Sequence, residues 1–415
     1  MDFDPYMENE TFKTMQKLRN NYILREMLPH ERKMVLHKNW FNIGFKSNMD
    51  DVFVKCSEVW RAIVLGQTRS GKTMLLRRMM DLAHLNGWHV CWITDVKDEV
   101  KSSKRAQLRD FVRLLPENDI PQGIGVKVYR PNFFTVMKGG ALPKDNDEFA
   151  ISYSTLDFSE ILTALDISGK DDTDIKNVLS EYWDKVSNFD ELVKKVENGN
   201  YSKRIKNRIR IAAMPLIKYD VFPEIGNQDD FLMHMTTNPT AFNVRGFRKI
   251  GTKELMIMPQ LYIKIIQRLI IEAREKNILK NRVLLIYDEA PAFLSDKMLT
   301  SEEIKGIVDR EAYLGVYVIF AAQVYTSIPA WIYEQSEYIF FPSKFELKSL
   351  FAIMKHAQIY KWHTSEYKMI ADQIREIKAN SKSGHAIWGM IRKSKGKIRI
   401  FRAYPSISCH QKSQN

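Results

Sequence analysis

The sequence predicts an α/β fold with a mostly parallel central sheet, on three observations. Short apolar runs of the buried-strand kind recur at residues 62–65, 89–94, 283–287, 316–321 and 338–341. Helix-patterned segments stand between them, and the first two runs enclose one such segment in the order of a βαβ unit. The chain is also long enough for a large core: 415 residues, 45% hydrophobic and 27% charged, room for one domain with insertions or for two.

Residues 1–50 are polar and helix-permissive, ending in the apolar stretch Trp40-Phe41-Asn42-Ile43-Gly44-Phe45, and are expected to form an arm or a lead-in hairpin. The strand at 62–65 ends at Gly66, an apolar helix follows to Leu85, and Asn86-Gly87 turns the chain into the strand at 89–94. Residues 101–280 are expected to be a largely helical insertion with one or two core strands, the clearest at 126–129. Within it 157–196 reads as two or three amphipathic helices, with Asp171-Asp172-Thr173-Asp174 placed to cap one of them. A helix over 259–273, striped by Leu261, Ile265, Ile266, Leu269 and Ile270, is expected to cover the sheet. Residues 51–100 and 281–415 form the predicted core, closed by a hairpin of 386–390 and 398–401 around the basic turn 392–397.

Chemistry concentrates at two places. Gly66-Gln67-Thr68-Arg69-Ser70-Gly71-Lys72-Thr73 satisfies G-x-x-x-x-G-K-[ST] between a strand and a helix, the setting in which curled backbone N–H groups hold phosphate at a helix N-terminus. Lys72 is predicted to reach the β- and γ-phosphates of ATP and the Thr73 hydroxyl to ligate Mg²⁺. Arg69 either adds charge near the phosphates or is solvated. The apolar strand 283–287 runs into Asp288-Glu289, giving Asp288 as the metal-holding acid and Glu289 as the general base for an attacking water. Gln323, at the end of the strand from 316, falls on the same sheet edge, to sense the γ-phosphate, orient water, or cap a loop. Arg310 is a candidate arginine finger acting in trans, or a solvated helix arginine.

A formal charge of +13 favours polyanionic partners. Cys56, Cys91 and Cys409 are too few and too scattered for a disulfide framework or a zinc site. The acidic start Met1-Asp2-Phe3-Asp4 is unlike a secretory signal, and no apolar run is long enough to span a bilayer, so a cytoplasmic protein is expected, with peripheral docking at a membrane or capsid portal open.

Together these segments resemble the HerA/FtsK superfamily of ring-forming, DNA-pumping P-loop ATPases, which includes conjugation and type IV secretion ATPases and viral packaging motors. The resemblance runs from about Asn42 to Ser406. It rests on the phosphate loop, on Ile93-Thr94-Asp95-Val96-Lys97, on Ile286-Tyr287-Asp288-Glu289-Ala290, on the segment from Gly315 to Gln323, and on Gly384-His385-Ala386-Ile387. Val96 stands where that family has Pro, and Ala322 where Thr is common. The resemblance implies a RecA-like P-loop NTPase core with an additional strand, a hexameric ring with ATP at subunit interfaces, and double-stranded DNA in the channel. Basic clusters then become candidate DNA contacts: Lys104, Arg105 and Arg109; Lys203, Arg204, Lys206, Arg208 and Arg210; and Arg392 to Lys397. The expected function is a motor that translocates double-stranded DNA. The alternatives are a secretion-type ATPase that energises protein or pilus export, and a nucleotide-gated scaffold.

Overall fold

The computed structural model describes residues 40–46, 51–55, 61–67, 70–94, 123–133, 146–167, 169, 172–244, 257–292, 314–343, 347–356, 372, 386–395 and 397–406. Its strands are β1 (Trp40–Phe45), β2 (Asp51–Lys55), β3 (Arg61–Leu65), β4 (His89–Thr94), β5 (Lys127–Pro131), β6 (Asn146–Phe149), β7 (Thr240–Asn243), β8 (Val283–Asp288), β9 (Val316–Ala322), β10 (Tyr338–Pro342), β11 (Ile387–Arg392) and β12 (Lys397–Ala403). The helices are α1 (Lys72–Leu85), α2 (Phe158–Ala164), α3 (Thr173–Tyr182), α4 (Phe189–Asn198), α5 (Lys203–Lys218), α6 (Gln228–Thr237), α7 (Met258–Glu275), α8 (Ala330–Gln335) and α9 (Leu347–His356). The chain divides into two compact units, one of Met1–Trp92, Asp98–Val126 and Lys280–Asn415, the other of Ile93–Lys97 and Lys127–Leu279.

In the first unit the strands lie in the order β2-β1-β12-β11-β10-β3-β9-β8-β4. The β10, β3, β9 and β8 strands are mutually parallel, and β8 and β9 are buried along their whole length, as their unbroken apolar sequences require. The register pairs Leu65 with Ala322 and Asp288 with Ala321, so three strand ends finish at one edge. On the flank β10 pairs with β11, β11 with β12, β12 with β1 and β1 with β2, all antiparallel. The expected terminal hairpin is therefore present as β11 and β12, whereas of the expected lead-in at 1–50 only residues 40–46 are described, with β1 paired to β2. Gly44 is required where β1 meets β12: a Cβ there would lie 2.2 Å from the Arg402 carbonyl oxygen.

The second unit holds β7, β5 and β6, with β5 parallel to both neighbours, and α2 to α7. Its core is aromatic: Tyr262 stacks on Phe242 and Phe222 and meets Phe149 edge-on, while its hydroxyl donates to the Val221 carbonyl at 2.6 Å. As expected, the acidic segment stands at the start of α3, with Asp172 at the N-cap position and Asp174 in the first turn, although the Asp172 carboxylate accepts from the Gly169 N–H at 3.2 Å rather than from the helix. Asp157 forms the capping box, accepting from Glu160 N–H at 2.8 Å while the Glu160 carboxylate accepts from Asp157 N–H at 2.9 Å. The fully buried Glu160 carboxylate also pairs with Arg268 of α7 at 2.8 Å.

Candidate nucleotide site

The site is built where β3 gives out. Gly66 continues the sheet register for one residue, its N–H donating to the Ala322 carbonyl at 2.9 Å, and the Ser70 N–H donates back to the Gln67 carbonyl at 3.0 Å to curl the loop. Gly71 then starts α1 with a φ of 88°, in the left-handed region that favours glycine. The first glycine answers to space rather than torsion. A Cβ at Gly66 would sit 2.4 Å from Ser70 Oγ.

Lys72 is buried, and its ammonium group lies 2.6 Å from Glu289 Oε1 and 3.3 Å from Asp288 Oδ1. The Gln323 amide donates to the same Glu289 oxygen at 2.9 Å. Thus α1, β8 and β9 each deliver a polar side chain to one point. Asp288, on the last residue of β8, is buried; Glu289 follows with a φ of 64°, a left-handed conformation unusual for a residue with a Cβ. That turn swings the chain off the strand and leaves the Glu289 carboxylate against Lys72.

The loop fits a polyphosphate. Its glycines leave a cradle that side chains would fill, it opens onto the N-terminus of a 14-residue helix with no side-chain cap, and Ser70 Oγ is shut off from solvent with no hydrogen-bond partner among the described residues. The donor set fits Mg²⁺ as well. Asp288 and the Thr73 hydroxyl are hard oxygen donors, the sparse protein contribution usual for Mg²⁺ held chiefly by water and phosphate. Among the described residues there is no cluster of three or more His, Cys, Asp or Glu side chains that could hold a metal alone.

Gly66, Gln67, Ser70, Gly71, Lys72, Thr73, Asp288, Glu289 and Gln323 are all described at this edge, with Gln67 exposed. Thr68, Arg69 and Arg310 lie outside the described residues. Sequence patterns gave no sign of two further neighbours: Ala386 and Trp388, from the terminal hairpin, stand 3.2 and 3.7 Å from where a Gly71 Cβ would be. Of the basic turn at 392–397, Arg392 and Lys393 are engaged within the fold, and the side chains of Lys395 and Lys397 lie outside the described residues. Arg392 pairs with Glu337 at 2.9 Å, Ser394 also bonds Glu337, and Lys393 donates to the Glu334 carbonyl. Burial pulls the Lys393 ammonium below its usual range. On α5, by contrast, Lys203, Arg204, Arg208 and Arg210 are exposed. Lys104, Arg105 and Arg109 lie outside the described residues.

Among the described residues no helix is long and apolar enough to cross a membrane. No family model matches the chain. A curated relative, transcription termination factor Rho of Fibrobacter succinogenes, is 23% identical over 121 residues, so that the match spans 29% of this chain and only 17% of Rho. Among solved structures the chain is similar to the genome packaging NTPase B204 of Sulfolobus turreted icosahedral virus 2, with a TM-score of 0.38 and 9% identity over 85% of this chain and 100% of B204. It is similar also to VirB4 of Thermoanaerobacter pseudethanolicus, with a TM-score of 0.53 and 13% identity over 88% of this chain and 96% of VirB4. The likeness to VirB4 shows the fold: the chain has a mixed α/β fold of the P-loop NTPase type, built on a large, mostly parallel sheet.

Proposed function

We propose that this chain is an ATP-hydrolysing motor that translocates double-stranded DNA as a hexameric ring. The observation that carries the hydrolytic part is the convergence of Lys72, Asp288, Glu289 and Gln323 within hydrogen-bonding reach at the mouth of a phosphate-type loop. Phosphate oxygens at the loop compete with the two carboxylates for the Lys72 ammonium, and ATP draws that charge to itself. Glu289, released, becomes free to accept a proton from water, and Gln323 is placed to orient that water. Thr73 and Asp288 would hold Mg²⁺, which supplies charge neutralisation at the phosphates. Arg310 is the proposed finger completing a neighbouring subunit's site.

The DNA part rests on the sequence resemblance, the net charge of +13 and the exposed cations of α5. The test is ATPase activity of the assembled protein with and without duplex DNA at low salt. Turnover is expected to rise with DNA, and Lys72→Ala or Glu289→Gln to abolish it; Arg310→Ala should keep ATP binding and lose hydrolysis. Turnover indifferent to DNA in an assembled ring overturns the DNA reading, and wild-type protein without ATP turnover overturns the motor.

A further inference from the structure

We propose that the indole N–H of Trp388 donates to the polyphosphate of the nucleotide held by the loop, an inference that rests on the nucleotide reading above. Trp388 belongs to β11, whose register pairs Trp388 with Pro342 and Gly389 with Phe341. Because β11 is antiparallel to β10 and β10 is parallel to β3, the start of β11 arrives at the edge where β3 passes into the loop.

The side chain is fully buried. Its Cη2 lies 3.3 Å from where a Gly66 Cβ would be, and its Nε1 lies 3.7 Å from where a Gly71 Cβ would be. The ring therefore lies along the loop from first glycine to last, with its nitrogen at the end where α1 begins. Among the described residues that nitrogen has no hydrogen-bond partner. An indole N–H is a donor only, and an unpaired buried donor opposes folding. A phenylalanine would fill apolar space here without that penalty. The unmet requirement is for an acceptor, and Ser70 Oγ, on the same loop, is also without a partner among the described residues. A loop whose own N–H groups and helix N-terminus already favour anions offers one acceptor class in common to these donors, the oxygens of a bound polyphosphate.

Two replacements test this in the full chain: Trp388→Phe, and incorporation at 388 of benzothienylalanine, which keeps the bicyclic shape and puts sulfur in place of N–H. Binding of ATP, inorganic tripolyphosphate and adenosine is measured by calorimetry. The sulfur isostere is expected to weaken ATP and tripolyphosphate alike by about tenfold, the scale of one hydrogen bond to a charged group, and to leave adenosine unchanged. Unaltered affinities, in a wild-type background where ATP binds and Lys72→Ala prevents it, overturn the role of Trp388 while the nucleotide reading stands. A loss confined to ATP and adenosine places the donor on the nucleoside and also overturns it. Wild-type protein that binds neither ATP nor tripolyphosphate removes the nucleotide reading itself. The isostere decides the matter if the phenylalanine variant fails to fold.

Discussion

Glu160 and Arg268 show what a single buried charge demands. The carboxylate has no exposed surface, and burial raises its pKa above the usual carboxylate range, opposed chiefly by Arg268. Arg268→Ala leaves that charge uncompensated and should cost about 3–5 kcal/mol near neutral pH, read from urea unfolding. The group's folded pKa is raised, so its ionisation loses stability as pH rises through that value. Removing Arg268 raises it further, and the variant's deficit should shrink as the pH falls and Glu160 takes up a proton. His84, half-buried in the last turn of α1, behaves in the opposite direction. Desolvation, aided by His89, holds its pKa down at about 4 from an ordinary 6.5. Between those values the unfolded chain binds the proton more readily, so stability is full above pH 6.5 and falls as the pH drops toward 4. His84→Gln should flatten this slope, by less than a fully enclosed imidazole would, since the residue is only half-buried.

At the scale of elements, the flank strands depend on close backbone approach. Gly44→Ala forces a methyl group against the Arg402 carbonyl oxygen and Phe401. The expected result is faster amide exchange in β1 and β2, with a stability loss of about 1–3 kcal/mol. Exchange confined to wild-type rates would show that the hairpin absorbs the methyl group elsewhere. The parallel strands beneath the site were legible because a strand buried on both faces must read as a continuous apolar run, as residues 283–287 and 316–321 do. The short strands β6 and β7 were not: Asn146–Phe149 is polar in three of four positions and Thr240–Asn243 follows a helix without a strand-like run. The phosphate loop, Asp288, Glu289 and Gln323 could be placed because motif and strand end coincide in sequence. Trp388 could not, because its approach to Gly66 and Gly71 is created by strand pairing between segments far apart in the chain, which no local pattern encodes.

For the molecule as a whole, the charge of +13 is a long-range quantity that only ionic strength interrogates. If α5 meets DNA, Lys203→Glu with Arg204→Glu should weaken duplex binding uniformly across sequences. The slope of log affinity against log salt should become shallower by about 0.9 for each phosphate that the variant no longer neutralises. Unchanged affinity and slope would move the DNA face away from α5. If, as proposed, a neighbouring subunit completes the active site, specific ATPase activity should rise with protein concentration until assembly saturates.

The left-handed turn at Glu289 sets two selections against each other. Any side chain there carries a backbone cost of about 1–2 kcal/mol that glycine escapes. Glu289→Gly should therefore unfold at higher denaturant than Glu289→Ala, although both lack the carboxylate. A screen for thermal robustness would drift toward glycine at 289, while a screen for turnover would reject it. The residue proposed to activate water is thus a place where the chain folds less well than it could, and its retention would report selection for catalysis rather than for stability.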